Sequence, residues 1–155
     1  VKRGHGLHKG RAAEQECAKM LRRWGCTTVE RRGLGQSGLP DLTVSLDGRP
    51  LPLTISVKAV KGASLAHLVN HKGLAWTYWR EVAVYPHPWL LLKLPRPWGW
   101  WIVWTGADLD DLEPWAGKPP RLMLMADVHR VIVAQPLKDV LAWLTPEHLV
   151  QAWAA

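Results

Sequence analysis

The sequence predicts an α/β fold in which helices pack around a central sheet. Its 155 residues are close to the size of one domain, so we expect a single domain spanning residues 1–155. Apolar residues make up 48% of the chain, which is enough to form a sizeable core. Segments with helical periodicity come before, between and after short strand-like segments, and this order of elements is typical of an α/β architecture.

The first part of the chain predicts one helix followed by strands. Ala13, Cys17, Leu21 and Trp24 form one apolar stripe at helical spacing, which predicts a helix over Lys9–Trp24. The Gly-rich segment 33–40 predicts a loop, and Asp47-Gly48 predicts a hairpin turn. β-Branched or alternating runs predict strands over Thr27–Arg31, Asp41–Leu46 and Leu53–Val60.

The second part of the chain predicts a helix, two paired strands and two terminal helices. Ser64–Val69 fits a further strand, and Asn70 could cap a helix from about His71 to Val84. A Pro-containing turn separates two apolar runs that predict a hairpin. The remaining predicted elements are strands over Trp89–Leu94 and Trp100–Thr105, a short strand within Leu122–Val133, and helices over Leu137–Trp143 and Pro146–Trp153.

Charge and tryptophan divide the chain into two unlike parts. The net charge is +7, and residues 1–62 carry all of this excess, with 12 Lys/Arg against 5 Asp/Glu. Residues 63–155 carry 8 of each sign, and ten of the eleven Trp residues follow residue 75. The first part therefore predicts a polyanion-binding face, and the second predicts a core and an interface.

Several functional classes are not indicated by the sequence. No apolar run approaches the roughly 20 residues that cross a bilayer, and the basic, Gly-rich start does not resemble a signal peptide, so we expect no membrane association. Cys17 and Cys26 lie nine positions apart, which suits a reduced, cytoplasmic protein and not a zinc finger. Neither a phosphate-binding Gly-rich motif nor a dinucleotide fingerprint occurs, so we expect no nucleotide cofactor.

Acidic and basic residues recur in an order that suits phosphodiester hydrolysis. Glu14 lies on the first predicted helix, Asp41 opens a strand, and Ser56 and Lys58 share one face of the next strand. Carboxylates hold Mg²⁺, which polarises a phosphoryl oxygen and activates a bound water. A nearby lysine can orient that water or neutralise the developing charge.

These residues resemble the motifs of archaeal-type Holliday-junction resolvases, which belong to the PD-(D/E)xK nuclease superfamily. The segment KGRAAE at 9–14 is similar to the KG-x-x-x-E opening of that family, Pro40-Asp41 to its PD, and ISVKA at 55–59 to its E-V-K-x strand. The hairpin at 89–103 and the helix starting at Pro146 are also similar to later elements of the family. The resemblance implies a restriction-endonuclease-like mixed central sheet flanked by helices.

The resemblance also implies an activity and its residues. The activity is resolution of four-way DNA junctions by paired symmetric nicks with Mg²⁺, for which Mn²⁺ can substitute. Asp41 would be the central metal ligand, Lys58 the catalytic lysine, and Ser37 a loop residue near the scissile phosphate. The implied catalytic set is Glu14, Asp41, Ser56, Lys58 and Ser37, and the implied metal ligands are Asp41, Glu14, Ser56 and the carbonyl of Val57. The expected DNA contacts are Lys2, Arg3, Lys9, Arg11, Arg31, Arg32 and Lys61.

Ser56 departs from the family, which has Glu or Asp at this position. A serine hydroxyl is a poorer Mg²⁺ ligand than a carboxylate. Three interpretations stand: Glu14 or Glu16 completes the site, the chain binds DNA but cuts slowly, or the serine is an engineered change that traps substrate. The alternative functions are therefore a non-catalytic or weakly active DNA-binding module on the same fold, or another nuclease of the superfamily acting in repair or restriction.

Four Trp residues predict a two-fold homodimer. Trp98, Trp100, Trp101 and Trp104 place rings on both faces of one hairpin, so one face enters the core and the other needs a partner. Two active sites would also match the two nicks that resolve a junction. A small resolvase suits an archaeal, bacterial or phage source, with the host cytoplasm as its location if it is phage-encoded. The scarcity of Asn and Gln hints at a thermophile.

Overall fold

The computed structural model describes residues 3–31, 41–61, 73–120, 123–126 and 130–153. Helices α1 to α5 span Arg3–Trp24, Leu74–Val82, Gly106–Ala116, Leu137–Trp143 and Pro146–Trp153. Strands β1 to β8 span Thr28–Arg31, Leu42–Leu46, Arg49–Pro50, Thr54–Ala59, Pro88–Leu94, Gly99–Thr105, Met123–Ala126 and Val131–Pro136. Within these ranges, none of the helices combines the length and the apolar character needed to cross a bilayer.

The strands form one mixed sheet in the order β1-β2-β4-β5-β6-β8-β7, with the short β3 paired to β2. Strands β4 and β5 run parallel, from Thr54 opposite Pro88 to Ala59 opposite Lys93. The other pairs are antiparallel. The predicted mixed α/β sheet flanked by helices is therefore confirmed, and its parallel pair brings the carboxyl ends of β4 and β5 to the same edge.

Helices cover both faces of the sheet. On one face, α1, α3, α4 and α5 pack against a core that includes Ile55, Val57 and Trp104. On the other face, α2 packs against a second core that includes Leu92 and Trp101. Side chains alternate between the faces along each strand, so one chain fills both cores.

Most predicted elements lie close to their predicted positions. The turn at Asp47-Gly48 has positive φ angles of 51° and 79°, as a tight two-residue hairpin requires. Helix α5 starts at Pro146 with Thr145 as its cap, since the Thr145 hydroxyl accepts a 3.4 Å hydrogen bond from the His148 N–H. Helix α1 begins at Arg3 and not at Lys9, because its apolar stripe starts only at Ala13 and gives no signal for the earlier turns.

Other predicted elements differ from the structure or lie outside the described residues. Residues 122–133 hold parts of two strands where one was predicted. Helix α2 is shorter than the predicted His71–Val84, and Gly73 stands at its N-cap position. The proposed strand at Ser64–Val69 and the proposed cap Asn70 lie outside the described residues.

The hairpin tryptophans do not leave one face of the sheet uncovered. The reason given for predicting a dimer was therefore wrong. Trp104 is fully buried on the α1 side of the sheet, and Trp101 is buried on the α2 side. Trp100 is partly buried, and Trp98 in the turn is 40% exposed. Because helices of the same chain cover both faces, the homodimer stays a prediction without this support.

Two neighbouring core tryptophans predict a measurable difference in stability. Trp89 and Trp104 are both fully buried in edge contact, with ring centroids 5.7 Å apart. The Trp104 Nε1–H donates a 2.8 Å hydrogen bond to buried Gln135, whereas the Trp89 Nε1–H has no hydrogen-bond partner among the described residues. We expect Trp104→Phe to lower the free energy of unfolding more than Trp89→Phe does, by about 1–3 kcal/mol, because it leaves the Gln135 oxygen unpaired.

Urea denaturation of the two variants measures this difference, and Trp89→Phe is the matched control because it removes the same ring volume. Equal losses, or a larger loss in Trp89→Phe, would contradict the assigned hydrogen bond.

Candidate active site

The predicted acidic and basic residues meet at one edge of the sheet. A pocket of about 910 Å³ lies at the carboxyl ends of β4 and β5, between α1 and α2. The predicted site residues that line it are Glu14, Asp41, Val57, Lys58 and Lys61. Crevices at the carboxyl ends of parallel strands are common ligand sites in α/β proteins.

Asp41 lies just before β2 and reaches across to β4. Its Oδ2 accepts a 2.7 Å hydrogen bond from the Val57 N–H and a 3.2 Å hydrogen bond from the Ser56 hydroxyl. These two contacts fix the carboxylate beside the end of β4. The other oxygen, Oδ1, makes no hydrogen bond with a described residue and remains available to a ligand.

Glu14 enters the pocket from α1. Its Oε2 forms an ion pair with Arg31 at 3.2 Å, and the two side chains are 20% and 29% exposed. Arg31 ends β1 and had been predicted as a DNA contact, so one cation joins the helix to the edge strand. The pair places the carboxylate on the pocket wall with Oε1 outside this contact.

Lys58 lies on the opposite face of β4 from Val57, as the alternation predicts. Its side chain is half-buried, and its Nζ lies 5.1 Å from the centroid of the Tyr78 ring on α2. This contact is a cation–π interaction, and no described carboxylate pairs with Lys58. An ammonium that pairs with no described carboxylate is suited to binding an anion.

Lys93 is a pocket residue that the sequence reasoning missed. It lines the pocket from the end of β5, and its Nζ donates to Glu16, which also accepts a 3.0 Å hydrogen bond from the Trp100 Nε1–H. The hydrogen bonds from Lys93 and then Trp100 hold the pKa of Glu16 below its ordinary value. Lys93 interrupts an apolar run much as Lys58 does, and that signal could have identified it.

Glu16, one of the two carboxylates predicted to complete the site, is engaged by other residues. Its side chain is held by Lys93 and Trp100 and does not line the pocket. Within the described ranges, no three His, Cys, Asp or Glu side chains are grouped as a metal site would need. Glu14 and Asp41 are the two carboxylates that line the pocket.

Cys17 lies beneath this site in the core. Its thiol is fully buried, and burial raises its pKa to about 12, with the carboxylates of Glu16, Asp41 and Glu14 adding to the shift. Cys17 and Cys26 are both buried, and neither forms a disulfide.

The remaining predicted residues are only partly covered by the structure. Arg11 is exposed on α1, before the turn that carries Glu14. Arg3 and Lys9 also lie on α1, but their side chains are outside the described set. The predicted residues that lie entirely outside the described ranges are Lys2, Arg32 and Ser37.

Comparison with solved structures finds a structural likeness to a known protein. A Holliday junction resolvase from Archaeoglobus fulgidus, Hjc, aligns over 94% of this chain and 98% of its own, with 16% sequence identity and a TM-score of 0.40. Neither the protein-family models nor the curated proteins include a match.

Proposed function

We propose that this chain is a metal-dependent endodeoxyribonuclease that nicks four-way DNA junctions. The supporting observation is the pocket at the carboxyl ends of β4 and β5, which joins Glu14, Asp41 and Lys58 from three separate segments. The motif resemblance in the sequence supports the junction as the substrate. The positive excess in residues 1–62 supports a polyanionic substrate of this kind.

The pocket offers carboxylate oxygens, the type of ligand that Mg²⁺ prefers. Both available ligands are carboxylates, and Mg²⁺ is commonly held by one or two carboxylates together with waters and substrate phosphates. Asp41 Oδ1 and Glu14 Oε1 would hold the ion. When bound, Mg²⁺ supplies charge stabilisation at the phosphoryl oxygen and a more acidic water.

The other pocket residues have roles that follow from their contacts. The Lys58 ammonium lies against Tyr78 and pairs with no described carboxylate, so it neutralises charge that develops on the scissile phosphate. Lys61 is exposed on the pocket rim and binds a flanking phosphate. Ser56 donates to Asp41 and thereby positions a carboxylate oxygen.

Gly10 supports close approach of the substrate to α1. It lines the pocket, and a Cβ added there would meet no atom within 4 Å. Glycine inside a helix costs about 0.5–1 kcal/mol relative to alanine, and packing does not require glycine here. The space above Gly10 is therefore open for a phosphate backbone to approach the helix.

A non-catalytic DNA-binding module is the second candidate, and a specific observation favours it. Ser56 stands where a third carboxylate would lie, and its hydroxyl donates to Asp41 as a neutral group. A site with two carboxylates and three lysines binds phosphates well but holds Mg²⁺ weakly. Such a module would bind the DNA junction without cleaving it.

The test uses labelled four-way junction and matched linear duplex, each incubated with the full chain in Mg²⁺ and in EDTA. Paired symmetric nicks in the junction, dependent on Mg²⁺, are the expected result. Binding without nicks in Mg²⁺ would establish the non-catalytic module. Cleavage of the linear duplex would establish a repair or restriction-type nuclease in place of a resolvase.

The homodimer is part of this proposal, because two opposed nicks require two active sites. Analytical ultracentrifugation at micromolar concentration is the check. A monomer there, and also when bound to junction, would remove the paired mechanism while leaving single-strand nicking as the activity.

A further inference from the structure

A second concave surface lies next to the candidate active site, around the turn between β5 and β6. This aromatic groove has a volume of about 600 Å³, and its wall combines the rings of Trp24, Trp98 and Trp100 with the cations Arg23 and Lys138. Apolar side chains from α1 and α4 fill the space between them. None of the residues assigned above to hydrolysis lines this groove.

Trp98 presents its ring from a fixed backbone. The ring is 40% exposed, whereas Trp101 and Trp104 on the same hairpin are buried. The Trp98 N–H donates a 3.0 Å hydrogen bond to the Pro95 carbonyl, and the Trp98 carbonyl accepts a 3.1 Å hydrogen bond from the Trp101 Nε1–H. A ligand that stacks on this ring therefore loses little free energy to ordering of the turn.

The charge of the groove matches a polyanion. Arg23 and Lys138 are both exposed, and no described carboxylate lines the groove. Glu16, which accepts a hydrogen bond from the groove residue Trp100, is neutralised by its ion pair with Lys93. Aromatic rings combined with cations are the recurring means of binding single-stranded nucleic acid, because bases stack on the rings and phosphates meet the cations.

The groove lies beside the candidate active site. Lys93 lines the active-site pocket and Trp100 lines the aromatic groove. The two residues are direct partners across β5 and β6, which places their Cβ atoms about 5 Å apart. Glu16 binds both side chains and holds them together. A strand bound in the active-site pocket would therefore lie close to the groove.

We propose that the aromatic groove binds an unpaired nucleotide of the strand held at the active site, with its base stacked on Trp98 and its phosphates on Arg23 and Lys138. That this nucleotide belongs to the strand at the active site rests on the proposed nuclease function. The groove itself, by its rings and charges, selects unpaired nucleic acid, such as the strands opened at a branch point.

The test measures binding of a labelled short oligothymidylate to the full chain by fluorescence anisotropy in EDTA. Trp98→Ala is expected to weaken binding roughly 5- to 100-fold, which is the loss of one base stack. Trp98→Phe keeps an aromatic face and is expected to lose less. Trp115→Ala is the matched control, because Trp115 is 50% exposed on α3, outside the groove, and should leave binding unchanged.

The cations are tested by salt dependence. The double variant Arg23→Ala with Lys138→Ala is expected to lower the slope of log affinity against log salt by about 1.4, the effect of two lost contacts to a single strand. Lys118→Ala, at an exposed position outside the groove, is expected to leave the slope unchanged.

Other outcomes would overturn the proposal. Equal binding by wild type and both Trp98 variants would do so, as would equal weakening by Trp98→Ala and Trp115→Ala. Conversion of a dimer to a monomer by Trp98→Ala in sedimentation would instead make the groove an interface between copies.

The nuclease proposal fails separately from this one. Oligothymidylate binding in EDTA requires no cleavage. If the chain does not cleave the junction but its binding depends on Trp98, only the nuclease proposal is rejected. If the chain cleaves the junction but its oligothymidylate binding does not depend on Trp98, only the groove proposal is rejected.

Discussion

Lys58→Ala is expected to reduce the rate of junction cleavage by about 10²–10³-fold, as removal of one preorganised electrostatic group does in other enzymes. The Lys58 ammonium lies in the pocket with Asp41 and Glu14, held against Tyr78 and unpaired with any described carboxylate. Its removal leaves the developing phosphate charge without this cation. Single-turnover cleavage with enzyme in excess is the appropriate measurement, because it separates chemistry from product release.

Two further variants separate chemistry from packing and from net charge. Lys58→Met keeps an aliphatic stem against Tyr78 and is expected to be as inactive as Lys58→Ala while retaining the wild-type thermal stability. Lys118→Ala removes one charge at an exposed position away from the pocket and should cut at the wild-type rate. Cleavage by Lys58→Ala at the wild-type rate would show that the proposed site is wrong.

Ser56→Glu is expected to raise Mg²⁺-dependent cleavage by roughly 10- to 100-fold, because it adds a carboxylate ligand. The Ser56 hydroxyl lies 3.2 Å from Asp41 Oδ2, so a carboxylate introduced here would lie beside the one at Asp41. Without metal, repulsion between the two carboxylates is expected to lower the midpoint of thermal unfolding. With saturating Mg²⁺ the midpoint should recover, since a ligand at 100 times its Kd contributes about 2.7 kcal/mol.

Ser56→Gln is the control for this gain, because glutamine has nearly the same size as glutamate and no charge. It is expected to show neither faster cleavage nor a Mg²⁺-dependent rise in thermal midpoint. If the Glu and Gln variants cut equally, a carboxylate at this position does not bind the catalytic metal.

The sequence predicted the elements whose residues carry strong local signals. In β4, Ile55 and Val57 do enter one core while Ser56 and Lys58 face the other side, as the alternation requires. Helix α5 begins where Thr145 and Pro146 indicate. These signals act over a few neighbouring residues, so no knowledge of tertiary contacts is needed to interpret them.

Helix α3 was missed because its apolar pattern is sparse. Leu109 and Leu112 are its buried apolar side chains, and Pro114 lies inside the helix. A local signal did exist: Thr105 caps the helix by accepting a 3.1 Å hydrogen bond from the Asp108 N–H, and a Thr with an acid three positions later is a known start pattern. The cap was present in the sequence, but periodicity alone could not reveal it.

The site was predicted only as far as its motif extends. Glu14, Asp41 and Lys58 were identified because their spacing resembles a family pattern, and they line one pocket. Lys93 and Tyr78 come from outside the motif, and their place in the pocket depends on the parallel pairing of β4 with β5 and on the packing of α2. Such long-range pairing is not encoded in any local window of the sequence.

The burial of Cys17 has a consequence for measurement. A buried thiol with a pKa of about 12 is inert toward alkylating reagents, so it reacts only when α1 separates from the sheet. The rate of its alkylation in a Cys26→Ser background therefore reports the opening equilibrium of the helix that carries Glu14. Any compound that bridges α1 and β4 must slow this labelling, whatever reaction the chain performs, so Cys17 can serve as a probe in screening for ligands without a prior choice of substrate.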